Sequence, residues 1–221
     1  MTPDEFTTRP TLRGHFGMVA STHWLASQSA MAVLERGGNA FDAAVAAGFV
    51  LQIVEPHLNG PGGDLVGLIA PTGEDARVLA GLAAAPRGAS AASYRGLGLD
   101  RVPGAGFLAA TVPGAFDAWL LLLRDYGTWE LAETIEFALD YAENGYPVVP
   151  AIARTINTVA ELFSQHWPTS AEAWSHVEAG DIHVRPEWAA TLRRLLASAI
   201  GERREERIDA VRAEWLSLIH I

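Results

Sequence analysis

The chain has 221 residues, of which 49% are hydrophobic and 19% are charged, and its formal net charge is −10 at pH 7. This is the composition of a globular protein and excludes a disordered chain. The acidic balance argues against nucleic acid or an anionic membrane as a partner, because both bind basic surfaces. The sequence has no cysteine, which excludes disulfides and thiolate chemistry.

The N-terminus is acidic and lacks the apolar segment of a secretory signal. No apolar run reaches the roughly 18 residues that a membrane span requires. We therefore expect a cytoplasmic protein without a membrane partner. Residues 1–16 are polar and predict a flexible N-terminal arm, whereas 17–215 carry the patterns of one folded region. Residues 216–221 break the composition and predict either a non-native tail, similar to a translated sequencing-adapter read, or a truncated strand.

The first half of the folded region shows clear helix signals. Apolar residues recur at helical spacing before Gly37, and Asn39 is a good cap for a second helix that is apolar on every side and hence buried. Pro56 ends that helix. In chain order the predicted elements are a short buried strand at 17–20, a helix from Leu25 to Leu34, a buried helix from Asn39 to Val54, and two strands at 65–70 and 78–82.

The second half is predicted to be mostly helical, with glycine and proline separating its elements. The predicted elements are a strand at 108–112, a helix from Pro113 to Gly127, a helix capped by Thr128 and ending at Asn144, a helix at 150–164, an irregular stretch at 165–185, and amphipathic helices at 187–199 and 206–215.

Carboxylates on the helix after Thr128 share one face. Paired carboxylates can bind a metal or serve as acid and base, but the opposite face is apolar, which favours a solvated surface. Histidines elsewhere show no paired ligand spacing, so structural or exposed roles are favoured for them. His57 is the exception, because it leads into a glycine-rich stretch. These carboxylates are Glu130, Glu133, Glu136, Asp140 and Glu143, and the histidines are His23, His57, His166, His176 and His183.

No hydroxyl in the sequence has an evident base beside it. Thr22 and His23 are adjacent on an extended segment, so their side chains point to opposite faces and do not pair easily. Ser27 and Ser29 lie within the first helix, and no G-x-S-x-G elbow exists.

The stretch from Asn59 to Asp64 is rich in glycine. A phosphate cradle is disfavoured, because no Lys or Ser/Thr follows at the required spacing and Pro61 removes an amide donor. Glycines here permit a close approach of the backbone to a substrate or to the strand of a nucleophile. A plain lead-in to the following hairpin remains an equal alternative.

Taken in order, these motifs resemble the gamma-glutamyltranspeptidase family of N-terminal-nucleophile hydrolases. The resemblance implies an incomplete α+β fold, an αββα sandwich to which this chain gives mostly the helical layers and a few strands. The motifs are Met18 to His23, Leu25 to Gln28, Gly37 to Ala40, Asp42-Ala43, Glu55 to His57 and Gly60 to Asp64, then Val112 to Gly114, Tyr126-Gly127, Gly145 to Val148 and Ile152-Ala153.

The resemblance also implies a mechanism. A precursor cuts itself, and the Thr that opens the second subunit attacks an amide carbonyl with its own α-amine as base. The pKa of such an amine is about 7.7–8.0, so a useful fraction is neutral at pH 7. That Thr would lie beyond this chain, so no catalytic residue is assigned here, and neither a cofactor nor a metal is implied. The expected partners are a small-molecule amide and a C-terminal small subunit.

The resemblance places substrate binding at His57, Asn59, Gly62, Gly63 and Asp64, with Arg87 as a further candidate. Family members that take gamma-glutamyl groups place an Arg just before an Ala-Pro to clamp the substrate's α-carboxylate. Here that stretch is Gly-Leu-Ala-Ala-Ala-Pro at 81–86, so the Arg is missing and Arg87 follows the proline instead.

Three functional hypotheses follow. The leading one is the large-subunit portion of a gamma-glutamyltransferase-like enzyme that hydrolyses or transfers an acyl group. The second is an oxamate or small-amide hydrolase, or an acylase, of the same family, favoured by the missing Arg. The third is a non-catalytic scaffold or interaction protein. Under the first two, we expect this chain alone to be inactive and prone to aggregate, because its strands lack partners.

Overall fold

The computed structural model describes residues 12–82, 84–174 and 176–218. The predictions for 1–11 of the N-terminal arm and for 219–221 of the tail fall outside these residues. The helices are α1 (Trp24–Glu35), α2 (Ala40–Val54), α3 (Ala91–Gly96), α4 (Ala115–Tyr126), α5 (Leu131–Thr134), α6 (Glu136–Asn144), α7 (Pro150–His166), α8 (Pro168–Trp174), α9 (Pro186–Ala197) and α10 (Arg204–Leu218). The strands are β1 (Leu65–Ile69), β2 (Arg77–Gly81), β3 (Tyr146–Pro147) and β4 (Ile182–His183).

Helix α2 is the centre of the fold, as its apolar sequence predicts. It packs against α1, α4 and α6. Its N-terminus forms a capping box, in which Asn39 accepts hydrogen bonds from the Phe41 and Asp42 N–H groups and the Asp42 carboxylate accepts one from the Asn39 N–H. Asp42 is fully buried and also accepts hydrogen bonds from Thr128 and Trp129, which ties α2 to the α4–α5 connection.

A glycine sets the distance between α2 and α4. A Cβ atom on Gly48 would lie 2.4 Å from the indole ring of Trp119 on α4. Because any larger side chain would push the indole away, the glycine permits this close crossing, which outweighs its low helix propensity.

Strands β1 and β2 form an antiparallel hairpin in which Gly67 pairs with Leu79. Ile69 and Leu79 face the core, whereas Val66 and Leu68 are exposed. The alternation matches a sheet with one packed face. The two predicted strands are confirmed, the first one residue shorter than predicted and the second shifted by one residue, and among the described residues this sheet contains no further strand.

An aromatic cluster fastens the last two helices to the centre. Phe116 of α4 packs edge-on against Phe49 of α2, with ring centroids 5.2 Å apart, and stacks on Trp215 of α10 at 4.3 Å. Trp188 of α9 closes the cluster against both Phe116 and Trp215. Residues from four helices thus share one apolar contact region.

Two predicted strands are wrong. Residues 17–20 form no ladder with any described strand, and Met18 is exposed, so the apolar run there is neither paired nor fully buried. Residues 107–109 form a 3₁₀ turn. After it, the backbone hydrogen bond from the Val112 N–H to the Ala84 carbonyl, 3.0 Å long, is the one that joins 110–112 to a neighbouring segment among the described residues. A strand requires a ladder of such bonds, which the local sequence cannot reveal.

The predicted helix at 128–144 differs from the observed structure in two respects. It is capped by Glu130, in a capping box with Glu133, because the Thr128 hydroxyl donates to Asp42 instead. It is interrupted at Ile135, which separates α5 from α6. The following stretch at 165–185 is less irregular than predicted, since it holds α8 and the short strand β4.

Candidate functional site

The glycine-rich loop, residues 57–64, begins as a continuation of the end of α2. The Glu55 carbonyl accepts hydrogen bonds from the N–H groups of Leu58 (3.0 Å) and Asn59 (3.2 Å). The Asn59 side chain donates to the carbonyls of Leu51 (3.2 Å) and Glu55 (3.3 Å). These bonds give partners to the Leu51 and Glu55 carbonyls at the helix end and fix the first part of the loop.

The far end of the loop is fastened to the start of α4. The Gly63 carbonyl accepts hydrogen bonds from the N–H groups of Gly114 (3.3 Å) and Ala115 (2.9 Å), and the Gly63 N–H closes a turn onto Gly60 (3.2 Å). Nothing lies within 4 Å of the position that a Cβ atom on Gly60 or Gly62 would take. The middle of the loop is therefore open, with its backbone accessible between two anchored ends.

The structure places five of the six predicted substrate-binding residues on this one loop. Gly62, Gly63 and Asp64 are exposed, and Asn59 is exposed although its amide caps α2. His57 is half-buried and turns towards α7, where the imidazole Nδ1 is buried and has no hydrogen-bond partner among the described residues.

Arg87 lies on a different segment, between β2 and α3. Its side chain is exposed and forms no ion pair with any residue that the structure describes. No described hydrogen bond joins Arg87 to the glycine-rich loop. Its assignment to the site therefore stays a prediction.

An open cleft of about 510 Å³ lies between α2 and β1, next to the loop. Its polar lining includes Thr22, Gln52, Glu55, Asn59 and Asp64. Gln52 is only 4% exposed, and both polar atoms of its amide lack a partner among the described residues. Buried amides are normally hydrogen-bonded, so this side of the cleft favours a partner that brings polar groups.

Two residues at the base of the loop were not singled out from the sequence as a pair. The Thr22 hydroxyl donates a hydrogen bond to the Glu55 carboxylate, although 33 positions separate them. Glu55 is 5% exposed. A charged residue at the end of an apolar helix is the one signal that could have pointed to this buried carboxylate, because such a group needs a partner.

His23 has a structural role, as favoured by its sequence context. Its Nδ1 accepts a hydrogen bond from the Leu25 N–H at the start of α1 (3.2 Å), and its ring stacks on Trp24. The predicted failure of Thr22 and His23 to pair is consistent with this arrangement, because the hydroxyl of Thr22 turns to Glu55.

Burial lowers the pKa of His23 below its ordinary value of 6.5, while the charge of Glu55 acts in the opposite direction and His57 in the same direction. The unfolded chain therefore binds a proton more readily than the folded one, so the free energy of unfolding should fall as the pH drops from about 7.5 to 5.5. A urea titration at both pH values tests this. His23→Asn keeps a capping side chain and should show a smaller decrease, whereas the exposed control His166→Asn should behave like the parent chain.

The carboxylate row at 130–143 behaves as a solvated surface. Glu136 pairs with Arg36, Glu143 with Arg193 and Glu130 with Arg207. Among the residues described, no three His, Asp or Glu side chains are grouped to hold a metal ion. No helix in the described part of the chain is both long and apolar enough to cross a bilayer.

Comparison with known proteins decides the family. The family model for gamma-glutamyltranspeptidase matches residues 26–202. The chain belongs to the gamma-glutamyltranspeptidase family. A glutathione hydrolase-like proenzyme, YwrD, from Bacillus subtilis is 42% identical over 133 residues, which is 59% of this chain and 25% of the relative. An oxamate amidohydrolase proenzyme from Klebsiella pneumoniae is 35% identical over 196 residues, covering 83% of this chain and 36% of the relative.

Solved structures share the fold of this chain. A structure named LmbA2991HD is 57% identical with a TM-score of 0.91, over 95% of this chain and 37% of that one. Helicobacter pylori gamma-glutamyltranspeptidase is 32% identical with a TM-score of 0.77, over 84% of this chain and 55% of that one. These structures confirm the predicted N-terminal-nucleophile hydrolase fold, incomplete and mostly helical in this chain. The chain spans about a quarter to a third of the curated relatives' length.

Proposed function

We propose that this chain is the large-subunit portion of a proenzyme that hydrolyses an amide or transfers its acyl group, with a Thr nucleophile on a segment beyond these residues. The observation that carries the proposal is the glycine-rich loop, held at both ends and open in the middle, beside the cleft between α2 and β1. Family membership supplies the reaction class.

The loop suits the binding of a small polar substrate. Exposed glycines at 62 and 63 present main-chain groups without a side chain in the way, so a substrate can approach the backbone closely. Anchors at Glu55 and α4 hold those groups in place before substrate arrives. Pre-organised contacts of this kind position the scissile amide for attack by a nucleophile supplied from elsewhere.

The nucleophile is better sought outside the described residues than within them. Within the described ranges, no Ser or Thr hydroxyl is hydrogen-bonded to an imidazole, and the hydroxyl of the exposed Thr22 donates to the buried Glu55 carboxylate. A hydroxyl needs a neighbouring base to attack an amide, and an N-terminal Thr brings that base in its own α-amine.

This proposal is tested by expressing the extended reading frame and assaying gamma-glutamyl, oxamate and acyl amides. We expect release of the acyl group from at least one of the three classes by the extended protein, and none by residues 1–221 alone. Activity of the 221-residue chain equal to that of the extended protein would contradict a nucleophile outside it. Absence of activity on every amide would favour the scaffold hypothesis.

The second candidate, a small-amide hydrolase or acylase, is favoured by one departure from the gamma-glutamyl pattern. Three alanines precede Pro86, where a carboxylate-clamping Arg is expected, and the exposed Arg87 leaves the chain from a different position. Relatives with the names oxamate amidohydrolase and acylase match this chain at 35% and 37% identity.

Replacing Arg87 in the extended protein separates the two candidates. If Arg87 clamps an α-carboxylate, Arg87→Ala should lower kcat/KM for gamma-glutamyl amides by about tenfold or more, the scale of a hydrogen bond to a charged group. Substrates without that carboxylate should be hardly affected. Arg95→Ala, an exposed arginine on α3, is the matched control. An unchanged kcat/KM on the best amide would remove Arg87 from the site.

A further inference from the structure

We propose that Thr22 and Glu55 are positioning residues, whose hydrogen bond holds the glycine-rich loop in the place that amide cleavage requires. This inference rests on the proposed function for its catalytic consequence. Its structural part, the fixing of the loop, stands on the contacts around Glu55 alone.

Glu55 connects two parts of the chain, one through its side-chain carboxylate and the other through its main-chain carbonyl. Its carboxylate accepts the hydrogen bond from the Thr22 hydroxyl, on the segment just before α1. Its main-chain carbonyl accepts the hydrogen bonds from Leu58 and Asn59 that begin the loop. A movement of Glu55 therefore shifts the start of the loop directly.

The Thr22 hydroxyl is the donor on which this buried carboxylate depends. Glu55 is 5% exposed, and no arginine in the described part of the chain forms an ion pair with it. The His23 imidazole interacts electrostatically with Glu55 and with His57. No described hydrogen bond joins either imidazole ring to Glu55. A buried carboxylate that loses its donor carries the full desolvation cost, so it would move towards water.

Movement of Glu55 would change the shape of the cleft. Thr22, Glu55, Asn59 and Asp64 all line the same 510 Å³ space. The other end of the loop is fixed to α4 at Gly63, so a shift at Glu55 would distort the residues between the two anchors. Misplacement by about 1 Å can cost about 100-fold in rate.

The test compares Thr22→Val, which has nearly the same shape without the hydroxyl, with Thr22→Ser, which keeps the hydroxyl. Thr134→Val is the control for loss of a threonine hydroxyl away from the loop. Thr134 is fully buried, unlike the exposed Thr22, and its hydroxyl donates to the Glu130 carbonyl. Hydrogen–deuterium exchange over residues 56–64 and kcat/KM on the best amide are measured for each variant of the extended protein.

We expect Thr22→Val to speed exchange in 56–64 and lower kcat/KM by about tenfold or more, the scale of a hydrogen bond to a charged group. Thr22→Ser should restore both. Parent-like exchange in Thr22→Val, or equal acceleration in Thr134→Val, would overturn the proposal. Because exchange requires no activity, it decides the positioning role even if the parent protein cleaves no amide, an outcome that would count against the proposed function alone.

Discussion

Replacing Phe116 by Ala is expected to lower the free energy of unfolding by about 3–5 kcal/mol, the range for deleting a buried aromatic ring. Phe116 is 1% exposed and contacts aromatic rings on α2, α9 and α10. The cavity left behind would separate the C-terminal helices from the centre, because stiff neighbouring rings cannot collapse into the space.

Phe107→Ala is the control for this experiment, because it deletes the same ring at a site that is 94% exposed. Its effect should stay within about 0.5 kcal/mol, as for most surface substitutions. Urea titration at low protein concentration, followed by tryptophan fluorescence, measures both. Equal effects of the two substitutions would mean that the aromatic cluster does not hold α9 and α10 in place.

Replacing Asp42 by Ala is expected to cost about 3 kcal/mol or more, since hydrogen bonds to a charged group contribute about 1.5–3 kcal/mol each. The Asp42 carboxylate accepts hydrogen bonds from the Asn39, Thr128 and Trp129 N–H groups and from the Thr128 hydroxyl. Because Asp42 is fully buried, water cannot replace it for these donors.

Asp42→Asn should be less harmful than Asp42→Ala, because its amide oxygen can still accept some of these bonds. Asp100→Ala, an exposed aspartate without a described ion pair, serves as the surface control. Thermal and urea unfolding of the three variants measure the differences. A cost for Asp42→Ala no greater than that for Asp100→Ala would show that the α4–α5 connection is held by other contacts.

The elements predicted well are those whose signals are local. The N-cap of helix α2, Asn39, and the proline that ends it, Pro56, both lie within two residues of the helix. The apolar composition of α2 indicates that it is buried. The hairpin of β1 and β2 follows from alternation around a turn. Both could be derived without knowledge of the rest of the fold.

The predictions that are wrong concern segments whose structure depends on contacts with residues distant in the sequence. Residues 17–20 have strand-like composition but no described partner strand. Threonine is a favourable helix-capping residue, yet the Thr128 hydroxyl donates its hydrogen bond to Asp42, 86 positions earlier. The helix predicted to start after Thr128 therefore starts after Glu130, which is the N-cap of α5. Neither outcome has a signal in the neighbouring sequence.

The candidate site divides in the same way. The loop from His57 to Asp64 is contiguous, so its residues could be grouped from the sequence and the resemblance alone. The bond between Thr22 and Glu55 spans 33 positions and required the structure. Whether Arg87 belongs with the loop depends on tertiary contacts that its sequence position does not specify.

An N-terminal-nucleophile mechanism is best tested by mass spectrometry of the protein expressed from the extended reading frame. We expect two chains from one precursor, with the smaller chain beginning at Thr, and a single chain when that Thr is replaced by Ala. A single intact chain from the unaltered precursor, with no amide hydrolysis, would contradict an N-terminal-nucleophile mechanism for this protein and leave a resemblance of fold alone.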